Sequence, residues 1–367
     1  MNDLLITNAS YFLPPTRDDV KLWSQIYKII PQNVGLVDRN KTGFKIPFRM
    51  TCPEYMEIPR DLDGFDKSFE QCCLDRATEI LKVASDRNVK VGIFYSGGID
   101  STGTLCSFLR VTPPSELRDR LILFMNNESI HENPNLYYGF LREQMTIVSS
   151  ERFGEFLDKS IIITNGEGAD QLFGTDMMIP YTKKFGFDAM FQPHSEALIN
   201  DFFSMFYIPT ELSSQWYAIL KHEISKAPIE LNSMLLMFWW FNFNFKWNSC
   251  YFRLMLRANE NNRQYMDEEF ALIFNQPFYM STDFQRWAML NTHKKIIDSW
   301  QTYKQTLKDF IYDYTKDEVY RKYKSKVGSL RNLFLVKFLP PAMDDSFRHI
   351  LSINPDDYYQ EFNSFKI

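Results

Sequence analysis

The chain has 367 residues, which is too long for one domain of typical size and comfortable for two. Apolar residues make up 45% and charged residues 24%, proportions that exclude a wholly disordered chain. The 41 basic and 46 acidic residues give a net charge of −5. This balance argues against a protein that coats nucleic acid, although it leaves room for a local basic site. Aromatic residues reach 16% and only 14 residues are Gly, so we expect bulky helical packing.

The cysteines and the apolar runs indicate the cellular compartment of the protein. The five cysteines form no CxxC pair, and their odd number does not fit a disulfide framework, so a reducing compartment is expected. Asp3 stands where a signal peptide would carry basic residues. The longest strongly apolar run, residues 234–241, is much shorter than the ~20 residues that a membrane-spanning helix needs. We predict a soluble, cytoplasmic protein without a membrane-spanning segment.

The elements, taken in chain order, predict three regions. Residues 1–88 form a small region of β-like pieces broken by prolines, with a helical apolar spacing at 65–87. In residues 89–192, strands alternate with helical segments. The strands are predicted at 89–95, 121–125 and 160–164, and the helices at 102–110, 136–144 and 151–157. This alternation is typical of βαβ units in an α/β fold with a parallel sheet. Residues 193–367 are predicted to be aromatic-rich helices.

A Gly-rich loop, SGGIDS at residues 96–101, lies where the first predicted strand turns into a helix. Glycine allows close backbone approach, and a helix N-terminus presents unpaired N–H groups, so this loop suits a phosphate. Asp100 can hold Mg²⁺ against that phosphate. The plainer alternative is a Gly-Gly turn before a capped helix. The Walker pattern is missing, and the loop resembles the PP-loop of ATP pyrophosphatases, which cleave ATP between the α and β phosphates.

A second Gly-rich loop follows the third predicted strand, with the sequence NGEGADQLFG at residues 165–174. Its carboxylates are three residues apart, so Asp170 can supply a second oxygen ligand opposite Asp100, and Glu167 can face a reacting carbon. A loop with solvated acids is the alternative. The segment is similar to the GEGxDExFGG loop of asparagine synthetases, with departures at Gln171 and Thr175, where the family usually has Glu and Gly.

The resemblance implies roles for individual residues. Pyrophosphate and Mg²⁺ would be held by Ser96, Gly97, Gly98, Asp100 and Ser101, and AMP would be contacted by Phe94, Asn165 and Gly166. Asp170 matches the second Mg²⁺-binding aspartate, and Glu167 matches the glutamate associated with forming and consuming the acyl-adenylate.

Two segments of the helical half extend the resemblance. Residues 304–309 are similar to the family's K-x-x-L-R-E segment, in which Lys304 is a further catalytic candidate and Lys308 replaces Arg. Residues 321–329 resemble its R-x-K-x-G-F loop, whose lysine neutralises charge on the α-phosphate and the departing pyrophosphate. The ungapped spacing selects Lys324, while the following x-Gly selects Lys326, which we favour. A solvated basic face is the alternative.

The resemblance covers roughly residues 89–335 and implies an enzyme that uses MgATP to adenylate a carboxylate and then transfers the acyl group to an amine. It does not extend to the N-terminal glutaminase of the family, since Asn2 follows Met1 and only about 88 residues precede the first strand. Ammonia or an amine is therefore the expected nitrogen donor. Two alternatives stay open: a PP-loop ligase acting on a nucleotide, RNA or peptide, and a catalytically silent binding partner.

Overall fold

The computed structural model describes residues 56–175, 177–256 and 263–324, together with residues 2, 3, 39, 49 and 50. Its centre is a four-stranded sheet in which every neighbouring pair of strands is parallel. The strands are β1 (Lys90–Phe94), β2 (Leu121–Met125), β3 (Thr146–Ser149) and β4 (Ile161–Thr164), in the spatial order β3-β2-β1-β4. The predicted α/β class with a parallel sheet is confirmed.

The two edge strands of the sheet, β3 and β4, differ in burial. All residues of β2 and β4 are buried, as expected where helices and loops cover both faces of a parallel sheet. The three strands predicted from the sequence correspond to β1, β2 and β4. The edge strand β3 was not predicted, because its four residues are half-buried or exposed and carry two hydroxyl side chains.

The helices around the sheet match the predicted segments in kind. They are α1 (Phe69–Asp86), α2 (Ile99–Val111), α3 (Leu117–Arg120), α4 (Asn127–Glu132), α5 (Pro134–Leu136) and α6 (Arg142–Gln144). A π-helical turn, Tyr137–Leu141, joins α5 to α6, and the helix predicted at 151–157 is the 3₁₀ helix Ser150–Phe156. Helix α1 begins later than its apolar pattern because the Ser68 hydroxyl caps it, accepting a hydrogen bond from the Gln71 N–H at 3.0 Å.

The other α-helices of the described residues follow in chain order. They are α7 (Ala169–Phe173), α8 (Met178–Phe185), α9 (Glu196–Ser204), α10 (Thr210–Ser225), α11 (Met234–Leu256), α12 (Thr282–Leu290), α13 (Gln305–Thr315) and α14 (Glu318–Tyr323). As predicted, no strand is found in the described residues beyond 193. Helix α13 packs against α2, which directly follows the SGGIDS loop. The division of the chain at residues 88 and 192 stays a prediction.

The aromatic cluster of α11 lies in the core. Phe238, Trp239, Trp240 and Phe241 are each at most 1% exposed, so they cannot stack with a nucleic-acid base. Within the part of the chain that the structure describes, no helix combines the length and the apolar character needed to cross a membrane.

Candidate functional site

The strand order brings the two Gly-rich loops together. We call residues 96–101, which follow β1, the first loop, and residues 165–168, which follow β4, the second loop. β4 lies on one side of β1 and β2 on the other, and ligands of open α/β sheets bind where the strand order reverses in this way. The loops touch, because a Cβ atom added at Gly166 would lie 2.9 Å from the backbone of Asp100 and of Ser101.

The first loop is held by hydrogen bonds between its own residues. The Ser101 hydroxyl accepts from the Ser96 N–H at 3.1 Å, lies 3.0 Å from the Ser96 hydroxyl, and donates to the Gly98 carbonyl at 3.1 Å. Gly97 has a φ of 75°, in the left-handed region that favours glycine. Helix α2 then begins after Gly98, and no side chain caps its first N–H groups. Its N-terminus is therefore available to an anion.

Tyrosines from the helical half support the first loop from outside. The Tyr320 hydroxyl, from α14, donates to the Gly97 carbonyl at 2.9 Å and lies 3.0 Å from the Thr102 hydroxyl. The Tyr279 hydroxyl donates to the Asp100 carbonyl at 3.0 Å. The sequence did not indicate these hydrogen bonds, because both tyrosines donate to main-chain atoms of a segment about 180 or more residues away.

The second loop and α7 are held mainly by distant residues. The Phe278 N–H donates to the Asn165 carbonyl at 3.0 Å. The Trp239 indole N–H donates to the Gln171 carbonyl at 2.7 Å, and the Lys295 ammonium donates to the Leu172 carbonyl at 2.7 Å. Burial lowers the pKa of Lys295 well below its ordinary value. These contacts fix the short helix that carries Asp170.

Two carboxylates meet on one buried ammonium. The Lys304 Nζ lies 2.5 Å from Asp100 Oδ1, 2.7 Å from Asp100 Oδ2 and 2.5 Å from Asp170 Oδ1. The Lys304 side chain is 1% exposed, and its φ of 59° places the backbone in the left-handed region just before α13. The predicted residues Asp100 and Asp170 are thus brought together, with Lys304 as the cation that joins them.

This donor set fits Mg²⁺. Two carboxylates that reach the same ammonium are close enough for one cation to contact both, and Mg²⁺ in proteins commonly takes one or two carboxylates, with waters and substrate phosphates completing its shell. Among the described residues there is no group of three or more His, Cys, Asp or Glu side chains that could hold a metal ion unaided. Asp100 and Asp170 could therefore supply only part of the ligand shell of a metal ion.

Glu167 has a partner that the sequence did not reveal. The Arg253 Nη1, from α11, donates to Glu167 Oε1 at 2.7 Å and to Oε2 at 2.8 Å. The two side chains are 25% and 27% exposed. The Glu167 carboxylate raises the pKa of Arg253 above its ordinary value. The sequence shows Arg253 in the last turn of an aromatic-rich helix, but this position does not reveal which acidic residue it pairs with.

The remaining predicted residues lie around the loops. Lys324 is buried behind the first loop, where it donates to the Glu132 carbonyl at 2.8 Å and pairs with the Glu132 carboxylate. A Cβ atom at Gly97 would lie 2.6 Å from the Cβ of Glu132, so this ion pair adjoins the loop. Burial lowers the pKa of Lys324. Lys326 lies outside the described residues. The Phe94 ring, half-buried, stacks on Phe124 with centroids 5.3 Å apart.

Comparisons of the chain with protein-family models, with curated proteins and with solved structures found no match.

Proposed function

We propose that the chain is an AMP-forming carbon–nitrogen ligase, similar in its chemistry to asparagine synthetases. It would activate a carboxylate with ATP as an acyl-adenylate, release pyrophosphate, and transfer the acyl group to ammonia or an amine. The observation that carries the proposal is the meeting of Asp100 and Asp170 on buried Lys304, beneath two touching Gly-rich loops at the reversal of strand order.

The residues divide the work between the two ends of the nucleotide. The first loop and the start of α2 present N–H groups and serine hydroxyls to the β- and γ-phosphates. Asp100 and Asp170 would hold Mg²⁺, which neutralises charge on the phosphates as pyrophosphate leaves. Lys304 adds a second positive charge from a dry position, where electrostatic interactions are stronger than in water.

The second loop would face the acyl group. Asn165 and Gly166 would contact the nucleoside through the main chain, which lies close to the first loop at Gly166. Arg253 holds both oxygens of Glu167, so the carboxylate direction is fixed before substrate arrives. Glu167 would then orient the attacking amine or take its proton. A substrate group that binds Glu167 has to compete with Arg253, and one that binds Arg253 has to compete with Glu167.

Free ammonia or an amine is the proposed nitrogen donor. A cysteine that hydrolyses glutamine needs an accessible thiol that ionises readily. The described cysteines Cys72, Cys73, Cys106 and Cys250 are all buried and free, and burial raises the pKa of Cys250 to about 11. None of these four thiols suits that task.

The products of ATP cleavage test the proposal. Purified protein is incubated with MgATP, a panel of carboxylates and either ammonium or small amines, and the nucleotides are separated by chromatography. We expect AMP and pyrophosphate in equal amounts. Asp100→Asn and Asp170→Asn should each lower their formation about 10²-fold or more, because each removes a charge that the phosphates need.

Asp201→Asn is the matched control, because Asp201 is an exposed aspartate that pairs with Lys184 and lies outside both loops. Its activity should equal that of the wild-type chain. Formation of ADP and phosphate would contradict the proposal. Tight binding of MgATP without cleavage for any acceptor would instead favour the catalytically silent binding partner.

A further inference from the structure

A cavity of about 450 Å³ lies between residues 133–140 and the junction of α13 with α14. Its volume falls in the range of about 300–1,000 Å³ that is common for small-molecule sites. The side chains that define its chemistry are those of Asn133, Asn135, Phe140, Tyr314, Asp317 and Tyr320. None of the side chains lining this cavity is Lys, Arg or His, so it does not suit an anion.

The aromatic walls favour a cation. The Phe140 and Tyr314 rings stand at 90° to each other with centroids 6.4 Å apart. Tyr320 also lines the cavity, but it is 1% exposed and its ring already has the Lys324 ammonium 5.6 Å from its centroid. The faces of aromatic rings carry negative electrostatic potential, and cages of such rings bind ammonium groups. The two rings meet edge to face, and both line the cavity, so a cation inside it lies beside aromatic rings.

Asp317 supplies the negative charge. Its Oδ1 accepts from the Tyr320 N–H and its Oδ2 accepts from the Asn135 amide, each at 2.8 Å. Both donors are neutral, and among the described residues Asp317 takes part in no ion pair. The two hydrogen bonds fix the carboxylate in place and leave its charge for a ligand.

We propose that this cavity binds an organic ammonium ion with an apolar body, of the class of alkylamines and arylalkylamines. The ammonium lies against the Asp317 carboxylate and the apolar body packs on the rings of Phe140 and Tyr314. The inference does not depend on ATP chemistry. It has a consequence for the first loop, because Tyr320 is both a wall of the cavity and a donor to the Gly97 carbonyl.

Gly139 is a position at which a larger side chain can close the cavity without disturbing the fold. It lies in the π-helical turn Tyr137–Leu141, lines the cavity and is exposed, and a Cβ atom added there meets nothing within 4 Å. π-Helical turns are frequent at functional sites. A larger side chain at this position should fill the cavity from its rim.

Calorimetry with 2-phenylethylammonium and with 2-phenylethanol, which has nearly the same shape and no charge, tests the proposal on the wild-type chain. We expect the amine to bind at least about tenfold more tightly than the alcohol, as for a hydrogen bond to a charged group. Butylammonium and tetramethylammonium extend the amine series. Equal binding of the amine and the alcohol, or no binding of any of the three cations at millimolar concentration, would overturn the proposal.

Three variants test whether the amine binds in this cavity. Asp317→Asn keeps an acceptor that caps α14 and removes the charge, so amine binding should weaken about tenfold. Gly139→Leu should abolish it. Asp313→Asn changes an exposed aspartate of the preceding helix, α13, and should bind as the wild-type chain does. Unchanged binding in both Asp317→Asn and Gly139→Leu would place the amine elsewhere and overturn the assignment.

Discussion

The two loops of the candidate site are stabilised in different ways. The first loop is held largely by its own hydroxyl and main-chain groups, with Ser101 at the centre. The second loop has one hydrogen bond of its own, from the Glu167 N–H to Asn165 Oδ1 at 3.0 Å. Its other contacts come from distant residues: Arg253 on α11 pairs with Glu167, and the Phe278 N–H donates to the Asn165 carbonyl. A local motif can therefore specify the shape of the first loop, whereas the second requires the helical half to be packed.

Lys304 connects the two loops. Its ammonium bonds to Asp100, just after β1, and to Asp170, just after the second loop. Without a cation at this point, two carboxylates would face each other in a poorly hydrated place. The joint position of the loops should therefore depend on one side chain from the helical half more than on either loop alone.

The largest effect is expected from removing the Lys304 charge, because this charge joins the two loops. Lys304→Met keeps an unbranched side chain and leaves two partly buried carboxylates without their shared cation. We expect the free energy of unfolding at pH 7 to fall by about 3 kcal/mol. Proposed AMP formation should fall about 10²-fold or more. Urea unfolding and nucleotide chromatography measure the two effects.

The pH dependence of this variant has a definite sign. Mutual repulsion should raise the pKa of one of the two carboxyls in the folded Lys304→Met chain above its unfolded value of about 4. A group with a raised folded pKa stabilises the fold below that pKa, so part of the lost stability should return as the pH falls toward 5. Adding Asp170→Asn should restore part of it at pH 7. Wild-type stability of Lys304→Met at pH 7 would contradict the assigned role.

The sequence predicted the fold where a segment carries its own signal. β1, β2 and β4 are continuous apolar runs ending in turns, and they were found within about two residues. β3 was missed because Thr146 and Ser149 weaken an edge strand of four residues. β3 is half-solvated, unlike the other edge strand β4, so its sequence differs less from that of a loop.

The sequence indicated the acids Asp100 and Asp170 and named Lys304 as a candidate, but it did not reveal the partner of Glu167. Asp100 and Asp170 come together as the two motifs implied, since parallel strands end at the same edge of a sheet. The pairing of Arg253 with Glu167 could not be read from periodicity, because the aromatic helix α11 is buried on nearly all sides and shows no distinct polar face. The choice between Lys324 and Lys326 stays open, since Lys326 lies outside the described residues.

The second loop should weaken when its distant partner is removed. Arg253→Met leaves the partly buried Glu167 carboxylate without its bidentate donor, and we expect a loss of about 2 kcal/mol in the free energy of unfolding. Glu167→Gln in the same background removes the unpaired charge and should recover about half of that loss. A double-mutant cycle of the two changes measures their coupling. Strictly additive effects would show that the ion pair does not hold the loop.

The smallest effect is expected inside the first loop, where one hydroxyl can be removed without touching the helical half. Ser101→Ala deletes the acceptor of the Ser96 N–H and the donor to the Gly98 carbonyl, and both groups lie near solvent. We expect a loss of about 1 kcal/mol in the free energy of unfolding, because such hydrogen bonds contribute about that much.

Ser107→Ala on the same helix is the matched control. Its hydroxyl donates to the Gly103 carbonyl, one turn earlier in α2, and hydrogen-bonds the buried Cys73 thiol, so its removal should change stability by no more than about 1 kcal/mol. MgATP binding separates the two variants, since Ser101→Ala should weaken it severalfold and Ser107→Ala should not. If Ser101→Ala destabilised the chain as much as Arg253→Met does, the first loop would not be locally stabilised, and the contrast between the loops would be wrong.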